Sequence, residues 1–367
     1  MFDLPPLVDH HCHGVLREDP GAEGFASYLT ESHAPAAPGT SFFDSQVGFA
    51  VRRWCPPLLG LDPHTSPSRY LNRRRELGPE EVARRLLGAT GIGTFLVDTG
   101  LPGALTTPGE LSRAAGSRAL EVVRLEALAE RVADTAADAV SFLDALDAAV
   151  RGAAPHAVAF KSVAAYRHGL ALAPEPPAPD EVRAAAAAWL AGRSPGERLT
   201  HPVLLRHLLW SAVGTELPLQ LHTGFGDPDL RLDRADPLLL TDFVRATAGR
   251  GCDLVLLHGY PFHRGAGYLA AVYPHVYADM GLTLGHTGAR ARAVLAEMLE
   301  LTPFGKLLFS TDGYGLPELY VVGARLFRTA VEHVLGEWVR DGSWAYPDAR
   351  RVALMLASGN ARRVYGL

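Results

Sequence analysis

The 367-residue chain has few cysteines, almost no lysine and no long apolar run. Three scattered cysteines, Cys12, Cys55 and Cys252, are too few for a disulfide framework, so we expect a reducing cytoplasm as the compartment. No apolar stretch reaches the ~20 residues that a membrane-spanning helix needs, and the first residues show no signal-peptide pattern. The net charge of −5 gives no argument for a nucleic acid or an anionic membrane as a partner.

The remaining composition is that of a globular protein, with 48% hydrophobic and 20% charged residues. Of the 35 basic residues, only Lys161 and Lys306 are lysine. Because the chain otherwise uses arginine, a lysine that persists marks a position where arginine chemistry would not serve. Lys161 is therefore a candidate for a chemical role.

Short apolar runs alternate with longer helical patterns along the whole chain, which is typical of parallel strands joined by helical crossovers. The predicted strands are Leu4–Asp9, Thr94–Asp98, Leu120–Leu125, Ala157–Lys161, Leu217–His222, Leu254–His258, His275–Asp279 and Leu307–Asp312. Eight such units predict an α/β fold of the (β/α)₈ TIM-barrel type. An open doubly wound sheet is the alternative, but no Gly-rich phosphate turn follows the first strand.

Residues 17–77 form a long polar segment after the first strand, rich in Pro, Ser and Gly. The segment also carries aromatic side chains, among them Tyr28, Phe42, Phe43, Trp54 and Tyr70, so we expect a partly helical cap over the barrel mouth, with a disordered insertion as the alternative. The run Arg73 to Arg75 within it predicts a solvated face, from which one arginine could reach an anionic substrate. With no linker visible, residues 1–367 are expected to form a single barrel domain.

Residues that bind metals stand at the ends of several predicted strands. His11 and His13 point the same way because side chains alternate along a strand, and neutral imidazoles bind divalent cations. Four later strands also end in residues compatible with a metal site: Lys161, His222, His258 and Asp312. The carboxyl ends of barrel strands converge on one face, so the pattern predicts a metal site there.

These motifs resemble the amidohydrolase superfamily, and its amidohydrolase-2 branch in particular. Similar domains of that branch are fused to glutamine synthetase-like proteins. The matching phrases are Asp9-x-His11-x-His13, FKSVAAYRHGL from Phe160, QLHTGFGD from Gln220, LLHGYPFHRGAGYLA from Leu256, STDGYGLPE from Ser310 and SGNARRVYGL from Ser358. The resemblance covers nearly the whole chain. It indicates the branch and not the reaction, because the superfamily contains hydrolases, decarboxylases and isomerases.

The resemblance implies a divalent metal cofactor, zinc first and manganese or iron as options, with one or two ions. The implied ligands of the first ion are His11, His13, His222 and Asp312. His258 would be a second-ion ligand or a base that orients the substrate. Lys161 would be a carboxylated bridge between two ions, a free ammonium on the substrate or an aspartate, or a structural residue.

The resemblance further implies a hydrolase acting on an amide, ester or lactone bond of a small, polar and anionic molecule. A metal-activated water would attack, Asp312 would carry the proton to the leaving group, and the metal or His258 would polarise the carbonyl. A non-oxidative decarboxylase and a non-catalytic metal-binding barrel stay open as alternatives. Pairing of the outer helices into a homodimer is also left open.

Further predictions concern residues around the site. Arg167 is expected either to bind a substrate carboxylate or to form a loop salt bridge, and Tyr166 lies beside it. His286 is expected to line the mouth or bond a helix start, and Glu318 to hold substrate or cap a helix. Asp9 is expected to fix the tautomer of a neighbouring imidazole.

Overall fold

The computed structural model describes residues 2–367 and shows eight parallel strands that pair in chain order. The strands are β1 Leu7–Cys12, β2 Ile92–Asp98, β3 Arg118–Arg124, β4 Ala159–Ser162, β5 Leu219–Thr223, β6 Leu254–His258, β7 Val276–Asp279 and β8 Leu307–Leu308. Backbone hydrogen bonds join the segment after β8 to β1, from His10 N to Phe309 O at 3.2 Å and from Asp312 N to His11 O at 3.1 Å. The predicted TIM barrel is confirmed.

Helices connect the strands and surround the barrel. They are α1 Gly21–Ser27, α2 Gln46–Leu58, α3 Pro67–Leu77, α4 Pro79–Gly88, α5 Pro108–Ala115, α6 Leu125–Ala133, α7 Ala139–Ala153, α8 Ala164–Arg167, α9 Pro179–Ala191, α10 Pro202–Val213, α11 Thr241–Thr247, α12 His263–Val272, α13 Gly281–Thr287, α14 Ala291–Leu301, α15 Pro317–Arg340, α16 Tyr346–Leu354 and α17 Asn360–Tyr365. Side-chain caps explain where two of these helices begin. Thr107 caps α5 and Asp138 caps α7, and each side chain accepts a hydrogen bond from the backbone N–H of the third helical residue.

The ends of the first and last strands differ from their predicted positions. β1 begins at Leu7, not Leu4, because Pro5 and Pro6 cannot donate to the strand ladder. β8 ends at Leu308, not Asp312. Beyond it the backbone turns to bond β1, and Asp312 itself adopts a left-handed φ of 50°.

Apolar side chains from alternate strand positions fill the barrel interior, including Val8, Leu96 and Val255. Helix α17 packs Val364 and Tyr365 against this cluster. The first residue of α17, Asn360, donates to the carbonyls of Phe304 and Leu307 beside the start of β8. The C-terminal helix therefore closes the amino-terminal end of the barrel, opposite the strand ends that carry the predicted ligands.

The segment 17–77 forms α1 to α3 and packs on the barrel through α15. Its residues Tyr28, Glu31, His33 and Val47 line the same cavity as His11 and Asp312. The prediction of a solvated arginine run is wrong at one position, since Arg74 is 4% exposed and bonds Glu318 on α15. That arginine does not reach the cavity.

Two further predictions concern the compartment. The three cysteines are free and buried. Within residues 2–367, no helix combines the length and apolar character that a bilayer crossing requires.

Candidate metal centre

Four of the predicted residues meet at the carboxyl end of the barrel around the Asp312 carboxylate. Asp312 Oδ1 lies 3.2 Å from His11 Nε2 and 3.3 Å from His13 Nε2, and Asp312 Oδ2 lies 3.5 Å from His258 Nε2. The Asp312 side chain is 12% exposed, so it faces the cavity, whereas His11 is fully buried. Residues about three hundred positions apart in the chain therefore converge on one point.

Hydrogen bonds on the far side of His11 and His13 fix which nitrogen carries the proton. His11 Nδ1 donates to Gln220 Oε1 at 2.8 Å, and His13 Nδ1 donates to the carbonyl oxygen of Asp98 at 3.1 Å. Each neutral ring therefore presents a lone pair at Nε2. Both lone pairs face Asp312 Oδ1, which is itself an acceptor, and three electron-pair donors around one point fit a bound cation.

Burial keeps His11 and His222 in the neutral form that binds metals. Desolvation lowers the pKa of His11 to about 3, with the charge of Lys161 acting in the same direction. Burial likewise lowers the pKa of His222 well below its usual value. Burial raises the pKa of Asp312, but the surrounding histidines, His258 first, hold it well below its usual range. His11 and His222 are thus neutral, and the Asp312 carboxylate is ionised.

His222 lies at the edge of the cluster. Its ring packs 4.8 Å from the His258 ring and 4.6 Å from the Tyr166 ring, centroid to centroid. Near Asp312, two triplets of donor residues have their atoms within 4.8 Å of one another, His11–His258–Asp312 and His11–His13–Asp98, and His222 belongs to neither. Its buried Nε2 has no hydrogen-bond partner, which also holds for Asp312 Oδ1, and both atoms fit ligands of an ion.

His258 has the opposite tautomer to His11. The backbone N–H of Leu282 donates to His258 Nδ1 at 3.4 Å, so the proton of the neutral ring is on Nε2, towards Asp312 Oδ2. Its backbone has a left-handed φ of 67°, held by a hydrogen bond from its N–H to Asp279 Oδ1 at 2.5 Å. This geometry fits a proton donor or acceptor better than a ligand.

Lys161 lies inside the cluster, 2% exposed, with Nζ 3.3 Å from His11 Nε2. Burial lowers the pKa of its ammonium to about 8, while the charge of Asp98 opposes the shift. A free amine is therefore accessible near neutral pH, which a carboxylation would need. Both the carboxylated and the ammonium interpretations fit this position.

Three polar residues of the centre were not predicted from the sequence: the buried Asp98 and Gln220, and the largely buried Arg124. Asp98 Oδ2 accepts from Arg124 Nε at 2.9 Å and Nη2 at 2.6 Å, and this guanidinium outweighs burial and lowers the carboxyl pKa. Asp98 and Arg124 are the last residues of β2 and β3, so their position at strand ends could have predicted them as site residues. Gln220 stands two residues before His222, on the same strand face, inside an apolar run.

A cavity of about 950 Å³ opens above the cluster, and three of the predicted substrate residues line it. Tyr166 packs on His222. Arg167 Nη2 lies 3.2 Å from Glu130 Oε1, and His286 Nε2 lies 3.2 Å from Glu31 Oε1. Arg167 thus makes the salt bridge that was one of its two predicted roles.

Two sequence predictions are corrected by the structure. Glu318 is fully buried and does not line the cavity, because its Oε1 accepts from Arg74 and Tyr70 of the 17–77 segment. Asp9 touches no imidazole; it accepts from the backbone N–H and hydroxyl of Thr311. Asp9 thus holds the turn before Asp312, and the tautomers are set by Gln220 and by the Asp98 carbonyl.

Comparison with known proteins gives related sequences and structures. The chain is 29% identical over 410 residues to protein fluG of Emericella nidulans, an alignment that covers 100% of this chain and 46% of fluG. The chain thus spans about half the length of that curated relative.

Among solved structures, a protein of Lactobacillus casei ATCC 334, provisionally named a metal-dependent hydrolase, matches with a TM-score of 0.86 at 27% identity, over 100% of this chain and 96% of that one. A uronate isomerase of Bacillus halodurans C-125 matches with a TM-score of 0.65 at 13% identity, over 99% and 93%, and shows the fold alone. The family model described as Amidohydrolase matches residues 124–367, more than half of the chain. This protein therefore belongs to the amidohydrolase family.

Proposed function

We propose that this protein is a metal-dependent hydrolase that directs an activated water at an amide, ester or lactone bond of a small anionic molecule. The observation that carries the proposal is the arrangement of His11, His13 and Asp312. The Nε2 atoms of two imidazoles whose Nδ1 protons are already used lie 3.2 and 3.3 Å from Asp312 Oδ1, at the floor of an open cavity.

The residues that would hold the ion are His11, His13 and Asp312, with His222 as a further ligand. A set rich in imidazole suits zinc, and manganese or iron would also fit. When bound, such an ion would lower the pKa of a coordinated water and polarise the substrate carbonyl.

Asp312 and His258 can move the proton. Asp312 Oδ1 faces the two imidazoles, whereas Oδ2 faces His258 Nε2 and remains available to accept a proton from water. The same oxygen can return that proton to the leaving group. The Nε2–H of His258 orients Asp312 Oδ2 and can donate to an oxygen that becomes negative during attack.

The charges at the cavity floor favour an anionic substrate. Arg124 and Lys161 are direct neighbours across β3 and β4, and both line the cavity. With Lys161 as an ammonium, the two positive charges balance Asp98 and Asp312, so a divalent cation would make the floor net positive. Such a floor attracts a carboxylate, and Arg124 is the residue best placed to bind one.

The open cavity supports catalysis over a purely structural ion. A structural site has a closed shell of protein ligands, whereas a catalytic site keeps a position free for water and substrate. Asp312 is accessible from the cavity, and the volume of about 950 Å³ would admit a small molecule.

The test combines metal analysis with a substrate panel. The purified protein is assayed for bound metal per chain and for turnover of N-acyl amino acids, carboxylate esters and lactones. We expect at least one ion per chain and release of an acid with an amine or alcohol. Release of carbon dioxide from a carboxylic acid would support a decarboxylase instead. Absence of bound metal after growth with zinc or manganese would contradict the proposal.

A further inference from the structure

A continuous network of buried hydrogen bonds lies beneath the metal centre, and its middle member comes from the C-terminal helix α17. Tyr365 projects from α17 into the barrel, where its hydroxyl lies 2.9 Å from His10 Nδ1 and 2.9 Å from Gln220 Nε2. His10 and Gln220 are fully buried, and Tyr365 is 7% exposed. None of these groups belongs to the proposed proton transfer.

The partners leave one consistent direction for each hydrogen bond. His10 Nε2 lies 2.9 Å from Asp279 Oδ2 and donates to it, so Nδ1 of the neutral ring accepts from the Tyr365 hydroxyl. The hydroxyl oxygen in turn accepts from Gln220 Nε2. With these directions every donor of the network has an acceptor.

This arrangement fixes the orientation of the Gln220 amide. Its two N–H groups are used by Tyr365 and by the carbonyl oxygen of His10 at 2.7 Å. Only Oε1 is left for His11, and it accepts the Nδ1 proton. At the other end of the network, Asp279 binds the backbone N–H of His258. One network therefore supports both a candidate ligand and the candidate acid.

We propose that Tyr365 is a positioning residue for the metal centre. Its hydroxyl keeps Gln220 in the orientation that presents the Nε2 lone pair of His11 to the ion, so α17 sets metal affinity from the closed end of the barrel. The inference rests on the proposed metal site. Groups that orient metal-binding histidines in this way commonly change metal affinity 10- to 100-fold when they are lost.

The test compares Tyr365→Phe with Tyr277→Phe in the full chain. Tyr277 packs against the same apolar cluster but stands outside the network, so its substitution controls for loss of a tyrosine hydroxyl. Zinc dissociation constants are measured by competition with a chromophoric chelator, and the visible spectrum of the cobalt form reports ligand geometry. We expect Tyr365→Phe to weaken zinc binding on the order of 10-fold and to change the cobalt spectrum, with Tyr277→Phe like wild type.

Gln220→Met is the second variant of the test, because Tyr365 is proposed to act through Gln220. The double variant should then bind zinc about as weakly as Gln220→Met alone. Additive losses, or wild-type affinity and spectrum in Tyr365→Phe, would overturn the inference. If Tyr365→Phe is too unstable without metal for its zinc affinity to be measured, wild-type zinc affinity in Gln220→Met would overturn the inference. A wild-type protein that binds no metal would instead refute the proposed function.

Discussion

Arg74 Nε donates to Glu318 Oε1 at 2.6 Å, and this ion pair joins helix α3 of the 17–77 segment to helix α15 of the barrel. Tyr70 donates its hydroxyl to the same oxygen at 2.7 Å. The three side chains are buried, and Arg74 also stacks 4.9 Å from the Phe25 ring centroid. The cap segment is thus fixed to the barrel through a charged cluster that water does not reach.

We predict that Glu318→Ala destabilises the protein by about 3–5 kcal/mol, because Arg74 would remain buried with only the more distant Asp19 carboxylate, at 3.7 Å, as an ionic partner. Urea unfolding followed by circular dichroism measures the change. Glu300→Ala, which removes an exposed partner of Arg264, should change stability by no more than about 1 kcal/mol. Equal losses of stability in Glu318→Ala and Glu300→Ala would show that the buried pair contributes no more than the exposed pair. The double variant Arg74→Met/Glu318→Leu should regain most of the lost stability.

Asp312→Asn should reduce kcat at least 100-fold on any substrate that is found, because an amide cannot accept the proton of water. Metal content should fall as well, since a charged ligand is lost. Asp242→Asn makes the same change on the exposed surface of α11 and should leave kcat unaltered. Full turnover in Asp312→Asn would exclude the proton-transfer role.

His258→Gln should lower kcat with little loss of metal if His258 is the acid and not a ligand.

The depressed pKa of Lys161 predicts a pH dependence of stability in the metal-free protein. The unfolded lysine keeps its proton up to a pKa of 10.5, whereas the folded one releases it at about 8 because of burial. Between these values the unfolded state binds more protons, so stability should rise with pH by up to ~3 kcal/mol.

Denaturant unfolding between pH 7.5 and 10.5, in the presence of a chelator, measures this slope. Lys161→Met should reduce the slope of the unfolding free energy against pH. Lys306→Met, at the other lysine of the chain, should leave most of that slope unchanged. An unchanged slope in Lys161→Met would mean that Lys161 titrates normally.

Added bicarbonate should raise metal occupancy in wild type but not in Lys161→Met if the amine is carboxylated.

Arg124→Gln should raise KM for an anionic substrate about 10- to 100-fold, as expected for loss of a charge-assisted hydrogen bond. Arg131→Gln removes the same charge from an exposed arginine of the cavity and should have a much smaller effect. Gly100→Ala should resemble Arg124→Gln, because a β-carbon at position 100 would lie 2.2 Å from Arg124 Cβ. KM values of the three variants for a charged and a neutral substrate check this; equal changes for both substrates would disprove the anion-binding role.

The local pattern of the sequence determined the barrel and the strand-end residues of the site. Alternation along a strand and the parallel arrangement of eight strands depend on short stretches, so His11, His13 and Asp312 could be placed on one rim before any contact was known. His258 was left as ligand or base, since its tautomer depends on the Leu282 backbone, which only folding brings to Nδ1.

Contacts between distant elements were decided by the tertiary structure alone. Glu318 looked available to a substrate, but docking of α3 buries it against Arg74. Asp9 looked like a partner for imidazole, but its strand position directs it to Thr311. Gln220 and Tyr365 lie in phrases that match the amidohydrolase branch, but the sequence assigned them no role, because their importance arises from a hydrogen-bond network whose members lie up to 355 residues apart. Sequence periodicity specifies which face a side chain occupies, whereas the packing of whole elements specifies which atom it meets.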